Sequence, residues 1–95
     1  MLTIEKTGDS ELKLTGRFDA SQEENATAEF QKYSETLTLD MKDLSYISSM
    51  GLSVLVNTYK RLKENNQALR LKNMNSHVRD VFMYTRLDQL FEIVE

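Results

Sequence analysis

The stretch Asp43-Leu44-Ser45-Tyr46-Ile47-Ser48-Ser49-Met50-Gly51-Leu52 constrains the fold most. A β-type segment ends there in paired serines and passes, through a glycine, into an amphipathic helical pattern. Thr36 to Met41 alternates strictly with β-branched threonines, the pattern of a half-buried strand. From Met50 onward Leu52, Leu55, Val56, Tyr59 and Leu62 recur at helical spacing, while Asn57, Lys60, Arg61 and Lys63 occupy the other side. A strand that turns directly into a helix of this length calls for a crossover to a further strand. Ala68 to Lys72, just after the helix-ending Asn65-Asn66 pair, supplies it.

The flanking segments extend the same logic. Leu2 and Ile4 alternate with polar neighbours, Gly8-Asp9 marks a turn, and Leu12 and Leu14 alternate again before Gly16, which predicts a hairpin. Asp19 or Ser21 is placed to cap a helix whose inward face is Ala26, Phe30 and Tyr33. Asn75 or Ser76 is placed to cap another, carrying Val78, Val81 and Phe82, before a terminal strand from Leu90 to Val94. Leu52, Leu55, Val56, Phe82 and Ile93 are assigned to the core, and Met50 is expected either to pack inward or to offer a partner an adaptable contact. The reading is an α/β fold: one domain over residues 1–95, a mixed four- to five-stranded sheet and about three helices packed against it.

Composition removes several function classes. There is no cysteine, so disulfides, thiolate catalysis and cysteine-ligated metal are excluded, and a reducing, cytoplasmic setting is the expectation. A net charge of −3 argues against a nucleic-acid footprint, and Lys60, Arg61 and Lys63 read as a solvated helix face beside Glu64. The start of the chain lacks a basic region followed by an apolar run, and no apolar stretch reaches membrane-spanning length, so direct membrane insertion is not expected. With one histidine and scattered carboxylates no metal site is expected, and Gly8, Gly16 and Gly51 are too widely spaced for a phosphate-cradling loop. No cofactor is indicated.

Two chemistries remain for the serines. Ser48 or Ser49 as a nucleophile with His77 as base would make a serine hydrolase, but no Gly-x-Ser-x-Gly elbow is present. Alternatively, a serine at a helix N-terminus sits beside free N–H groups and the positive end of the helix dipole, where an added phosphate is tolerated by the fold. Serine is also a preferred N-cap, so structure alone would explain one of the two.

Leu44 to Leu55 resembles the signature of the STAS domain family, the bacterial anti-sigma factor antagonists. Gly16-Arg17-Phe18-Asp19-Ala20 is similar to that family's turn after the first hairpin. Val78 to Phe82 and Leu87 to Ile93 are similar to its last helix and strand. The resemblance implies a regulator, not an enzyme. Ser49 matches the serine phosphorylated by a partner kinase, while Ser48 stands where many members carry aspartate and is the second choice. Implied partners are an anti-sigma factor of the histidine-kinase-like ATPase type, acting as serine kinase, and a PP2C-type serine phosphatase. Asp19, Ala20, Ser48, Ser49, Met50 and Gly51 form the expected partner surface. For Asp19 the plain alternative is an N-cap, and for Gly51 relief of crowding in the first helical turn. A transporter regulatory subunit or signalling scaffold, without phosphorylation, is the alternative the same fold allows. Arg86 occupies a position where the family commonly ends its last helix with glycine.

Overall fold

The structure is a computed structural model in which residues 1–94 are described. The hairpin forms as expected: strand β1 (Leu2–Gly8) pairs antiparallel with β2 (Glu11–Phe18) through a turn at Asp9-Ser10. A 3₁₀ turn (Ala20–Gln22) leads into helix α1 (Glu23–Phe30), then follow β3 (Leu37–Ile47), α2 (Ser49–Glu64), β4 (Leu69–Lys72), α3 (Ser76–Tyr84), a 3₁₀ turn (Leu87–Gln89) and β5 (Glu92–Val94). The sheet has five strands in the order β1-β2-β3-β4-β5, with every pair after the hairpin parallel.

That order determines the layering. Three successive parallel connections step across the sheet in one direction, and the right-handed crossover repeated three times places α1, α2 and α3 on one face. Burial agrees. Along β3, Leu37, Leu39, Met41, Leu44 and Ile47 are buried beneath the helices, as are Leu12, Leu14 and Phe18 of β2 and Leu69 and Leu71 of β4. Parallel sheets are ordinarily covered on both faces. Here the outer face is instead paved with charged pairs: Lys13–Asp43 at 2.9 Å, Lys72–Glu11 at 3.0 Å and Arg70–Glu92 at 2.9 Å. Arg17 stacks over the Tyr46 ring at 4.2 Å on the same face.

Three expectations are corrected and one is extended. The third strand continues six residues past the alternating Thr36–Met41 stretch to Ile47, through register shifts at Lys42–Asp43 and before Tyr46 that interrupt the alternation. Helix α1 ends at Phe30, which leaves Tyr33 beyond it and only partly buried. Met50 is 41% exposed and does not plug the core. Val56 and Ile93, assigned to the core, are only partly buried and lie at its margin.

Candidate functional site

Because β2 and β3 are parallel and Phe18 pairs with Ile47, the segments that follow them emerge side by side at one end of the sheet. After Phe18 comes the Asp19 turn; after Ile47 come the two serines. A direct bond joins the turns: the Ser48 N–H donates to the Phe18 carbonyl at 2.9 Å. The juxtaposition expected from the sequence is therefore present.

Ser48 is the N-cap of α2. Its backbone is extended, and its Oγ accepts from the Gly51 N–H at 3.1 Å while its carbonyl accepts the Leu52 N–H at 2.9 Å. One hydroxyl is thus committed to the helix start. Ser49, the first helical residue, is exposed, and among the described residues its Oγ makes no hydrogen bond. Its carbonyl accepts from Ser53 Oγ at 3.1 Å, one turn on. The first-turn N–H groups of Ser49 and Met50 are the donors a helix start leaves open once Gly51 is capped. The α2 dipole ends there as well, with no acidic side chain in the first turn to meet it.

Gly51 is buried, and a Cβ on it would lie 2.9 Å from both Ile47 Cγ1 and the Phe18 carbonyl oxygen and 3.0 Å from Phe18 Cδ1. The glycine lets the first turn of α2 close onto β2. It lies beneath the expected partner surface and shapes it.

Asp19 caps the 3₁₀ turn, with Oδ1 accepting from the Ser21 N–H at 3.1 Å and from the Ser21 hydroxyl. The hydroxyl bond above all holds its carboxyl below the ordinary aspartate range; desolvation, the next largest effect, opposes it, and the amide bond and the positive charges of the N-terminus and Arg17 add to the lowering. Ala20 is exposed beside it. Together Asp19, Ala20, Ser49 and Met50 offer a small surface of one carboxylate, one free hydroxyl and two apolar groups.

His77, at the start of α3, is exposed and shares no hydrogen bond with Ser48 or Ser49. Among the described residues no group of three or more His, Asp and Glu side chains could hold a metal ion, and no buried side-chain polar atom lacks a partner. No helix is long and apolar enough to cross a membrane. Sequence reasoning left Arg61 on a solvated face. The structure instead turns its guanidinium onto the end of α1, where it donates to the carbonyls of Tyr33 at 2.7 Å and Phe30 at 2.8 Å.

The model of the STAS domain family matches residues 3–95. The chain belongs to that family. Over 57 residues it is 35% identical to the anti-sigma-B factor antagonist of Bacillus subtilis, an alignment covering 60% of this chain and 52% of that protein, so the chain spans about half the length of its curated relative. Among solved structures it is similar to the anti-sigma factor antagonist SpoIIAA in its unphosphorylated form (TM-score 0.72, 17% identity, 100% of this chain and 88% of that one). It is equally similar to the Bacillus cell fate determinant SpoIIAA in the phosphorylated form (TM-score 0.71, 18% identity, 100% and 92%). These likenesses establish a STAS fold, five strands with three helices.

Proposed function

We propose that this STAS domain is an anti-sigma factor antagonist whose affinity for its partner is switched by phosphorylation of Ser49. The observation that carries the reading is the division of labour at the start of α2: Ser48 Oγ is bound into the cap, whereas Ser49 Oγ is exposed and unbonded. Unmodified, the domain binds an anti-sigma factor of the histidine-kinase-like ATPase type through Asp19, Ala20, Ser48, Ser49 and Met50, over Gly51. The sigma factor is then released. That partner also acts as the kinase: Ser49 Oγ attacks the γ-phosphorus of bound ATP, the bond to the ADP oxygen breaks, and the hydroxyl proton leaves to a base or to solvent.

The phosphate brings a charge of about −1.5 to −2 and three acceptor oxygens at neutral pH. At the head of α2 the fold receives it easily, since open N–H groups and the helix dipole favour an anion. The interface does not, because desolvating a dianion against a partner without matching cations is costly. A loss of about 3 kcal/mol weakens binding more than a hundredfold, enough to exchange partners. A PP2C-type phosphatase restores the binding form.

The test compares what wild type and Ser49→Asp retain from lysate of the native organism, with phosphate mapped on the wild-type protein. Retention of a histidine-kinase-like ATPase by wild type alone, with phosphate on Ser49, is the expected result. Equal retention by both, with Ser49 unmodified, moves the function to a scaffold or transporter subunit. Esterase activity lost in both Ser49→Ala and His77→Ala would instead make the protein a hydrolase.

A further inference from the structure

We infer that Arg61, twelve residues along α2 from Ser49, is a positioning residue for the switch: it clamps the end of α1 and thereby fixes the Ser48–Gly51 turn. The inference starts from how little else holds α1. That helix has eight residues, its N-cap Gln22 makes no side-chain capping bond, and its last turn contains no basic residue. Its final carbonyls are closed by tight local turns, the Glu29 carbonyl accepting the Lys32 N–H at 3.3 Å and the Phe30 carbonyl the Tyr33 N–H at 3.1 Å, and no side chain of α1 itself reinforces them. The two-pronged guanidinium of Arg61 adds a second donor to the Phe30 carbonyl, bonds the Tyr33 carbonyl as well, and sets a cation at the negative end of the α1 dipole.

From there the contacts run without a gap to the serines. The Phe30 ring meets Phe18 edge to face, with centroids 6.5 Å apart, and both rings are fully buried. Phe18 in turn accepts the Ser48 N–H through its carbonyl and lies directly against Gly51. Arg61, Phe30, Phe18 and Ser48 thus form one connected path from the last turn of α2, through α1 and β2, back to the start of α2. Its consequence is that the Asp19–Ala20 turn, which leads into α1, and the Ser49–Met50 turn are held as one surface. Releasing α1 lets Phe30 and Phe18 relax and loosens the cap, although Arg61 touches neither turn.

The functional meaning rests on Ser49 being the switch, but the coupling is measured in the isolated protein, so an unphosphorylated Ser49 and an absent coupling give separate results. Amide hydrogen exchange is compared in wild type, Arg61→Ala, Arg61→Lys and, as a control in α3 away from the path, Val78→Ala. Denaturant is adjusted so that the variants share one global stability. Lysine keeps the charge and stem but lacks the planar fork, and it secures a folded variant if alanine does not fold. With Arg61 replaced, the amides of Ser48 and Gly51 should exchange about tenfold faster than in Val78→Ala, together with those of Gln31 and Tyr33, while β4 amides stay unchanged. A residue serving only overall stability would not give that local pattern. Equal rates at Ser48 and Gly51 in the Arg61 variants and the control, or acceleration spread evenly over the chain, would overturn the inference.

Discussion

Ser48 and Ser49 are adjacent and chemically identical, yet the fold gives them different work. Ser48 Oγ satisfies the Gly51 N–H, so Ser48→Ala should lower stability by about 1 kcal/mol, the usual cost of losing an N-cap. Ser49→Ala removes no bond and should stay within about 0.5 kcal/mol of wild type. Urea unfolding of the two variants checks this, and equal losses would undo the distinction. Gly51 is a stricter case. Alanine gains about 1 kcal/mol of helix propensity, but its Cβ would press on the Phe18 carbonyl and the Ile47 side chain at 2.9 Å. Backbone oxygen has little room to move, and overpacking of this kind costs about 1–3 kcal/mol. The expected outcome for Gly51→Ala is a net loss of about 1 kcal/mol, and an unchanged urea midpoint would show that the turn can yield. The chemistry of both residues was visible in the sequence as a serine pair before a glycine. Which serine caps was not, because one residue's difference in helix start exchanges their roles.

Among the elements, those with an uninterrupted hydrophobic period were legible: the hairpin, α2, β4 and α3 lie within two residues of where the pattern puts them. β3 was legible as strict alternation only as far as Met41, because a slip in its pairing with β2 exposes Lys42 and Asp43 in succession. A period-2 reading stops at such a break. The α1 region was misjudged for a different reason: Asp19 caps a 3₁₀ turn rather than the helix itself, and the side chain that ties down the end of α1 is Arg61, about 30 positions away. No local pattern encodes that. Helix ends give a prediction of their own. α2 closes in a Schellman arrangement, with Asn66 left-handed at φ 60° and the Gln67 N–H on the Leu62 carbonyl at 2.9 Å. α3 is also followed by a left-handed residue, Arg86, whose N–H bonds the Met83 carbonyl at 3.1 Å and whose φ is 61° without glycine's freedom or asparagine's local bonding. Arg86→Gly should therefore raise stability by about 0.5–1 kcal/mol after glycine's extra unfolded-state entropy is allowed for. A lowered melting temperature in that variant would mean that the Arg86 side chain contributes more than its backbone costs.

At the scale of the whole molecule, one layer of helices on one face leaves the other face of a largely parallel sheet uncovered, and ion pairs pave that face. Each pair is exposed and worth little by itself, so their signature is a dependence on pH and not a large stability. The Lys13–Asp43 hydrogen bond, then their mutual attraction, lowers the Asp43 carboxyl and raises the Lys13 ammonium relative to their ordinary values. A lowered carboxyl contributes fully above the unfolded value of about 4 and is lost as pH falls through the folded one. A raised ammonium contributes fully below its unfolded value of about 10.4 and is lost as pH rises through the folded one. Asp19, lowered mainly by the Ser21 hydroxyl, acts on the acid side alone. Asp43→Asn should accordingly flatten the fall of the urea midpoint below about pH 4 and also its fall above about pH 10, whereas Asp19→Asn should flatten only the first. Such a difference would place the two aspartates in separate structures: one in the paving of the open sheet, the other in the turn beside Ser49. Identical acid and alkaline limbs in all three proteins would mean that these groups titrate alike in the folded and unfolded chain, so that neither bond distinguishes the folded state.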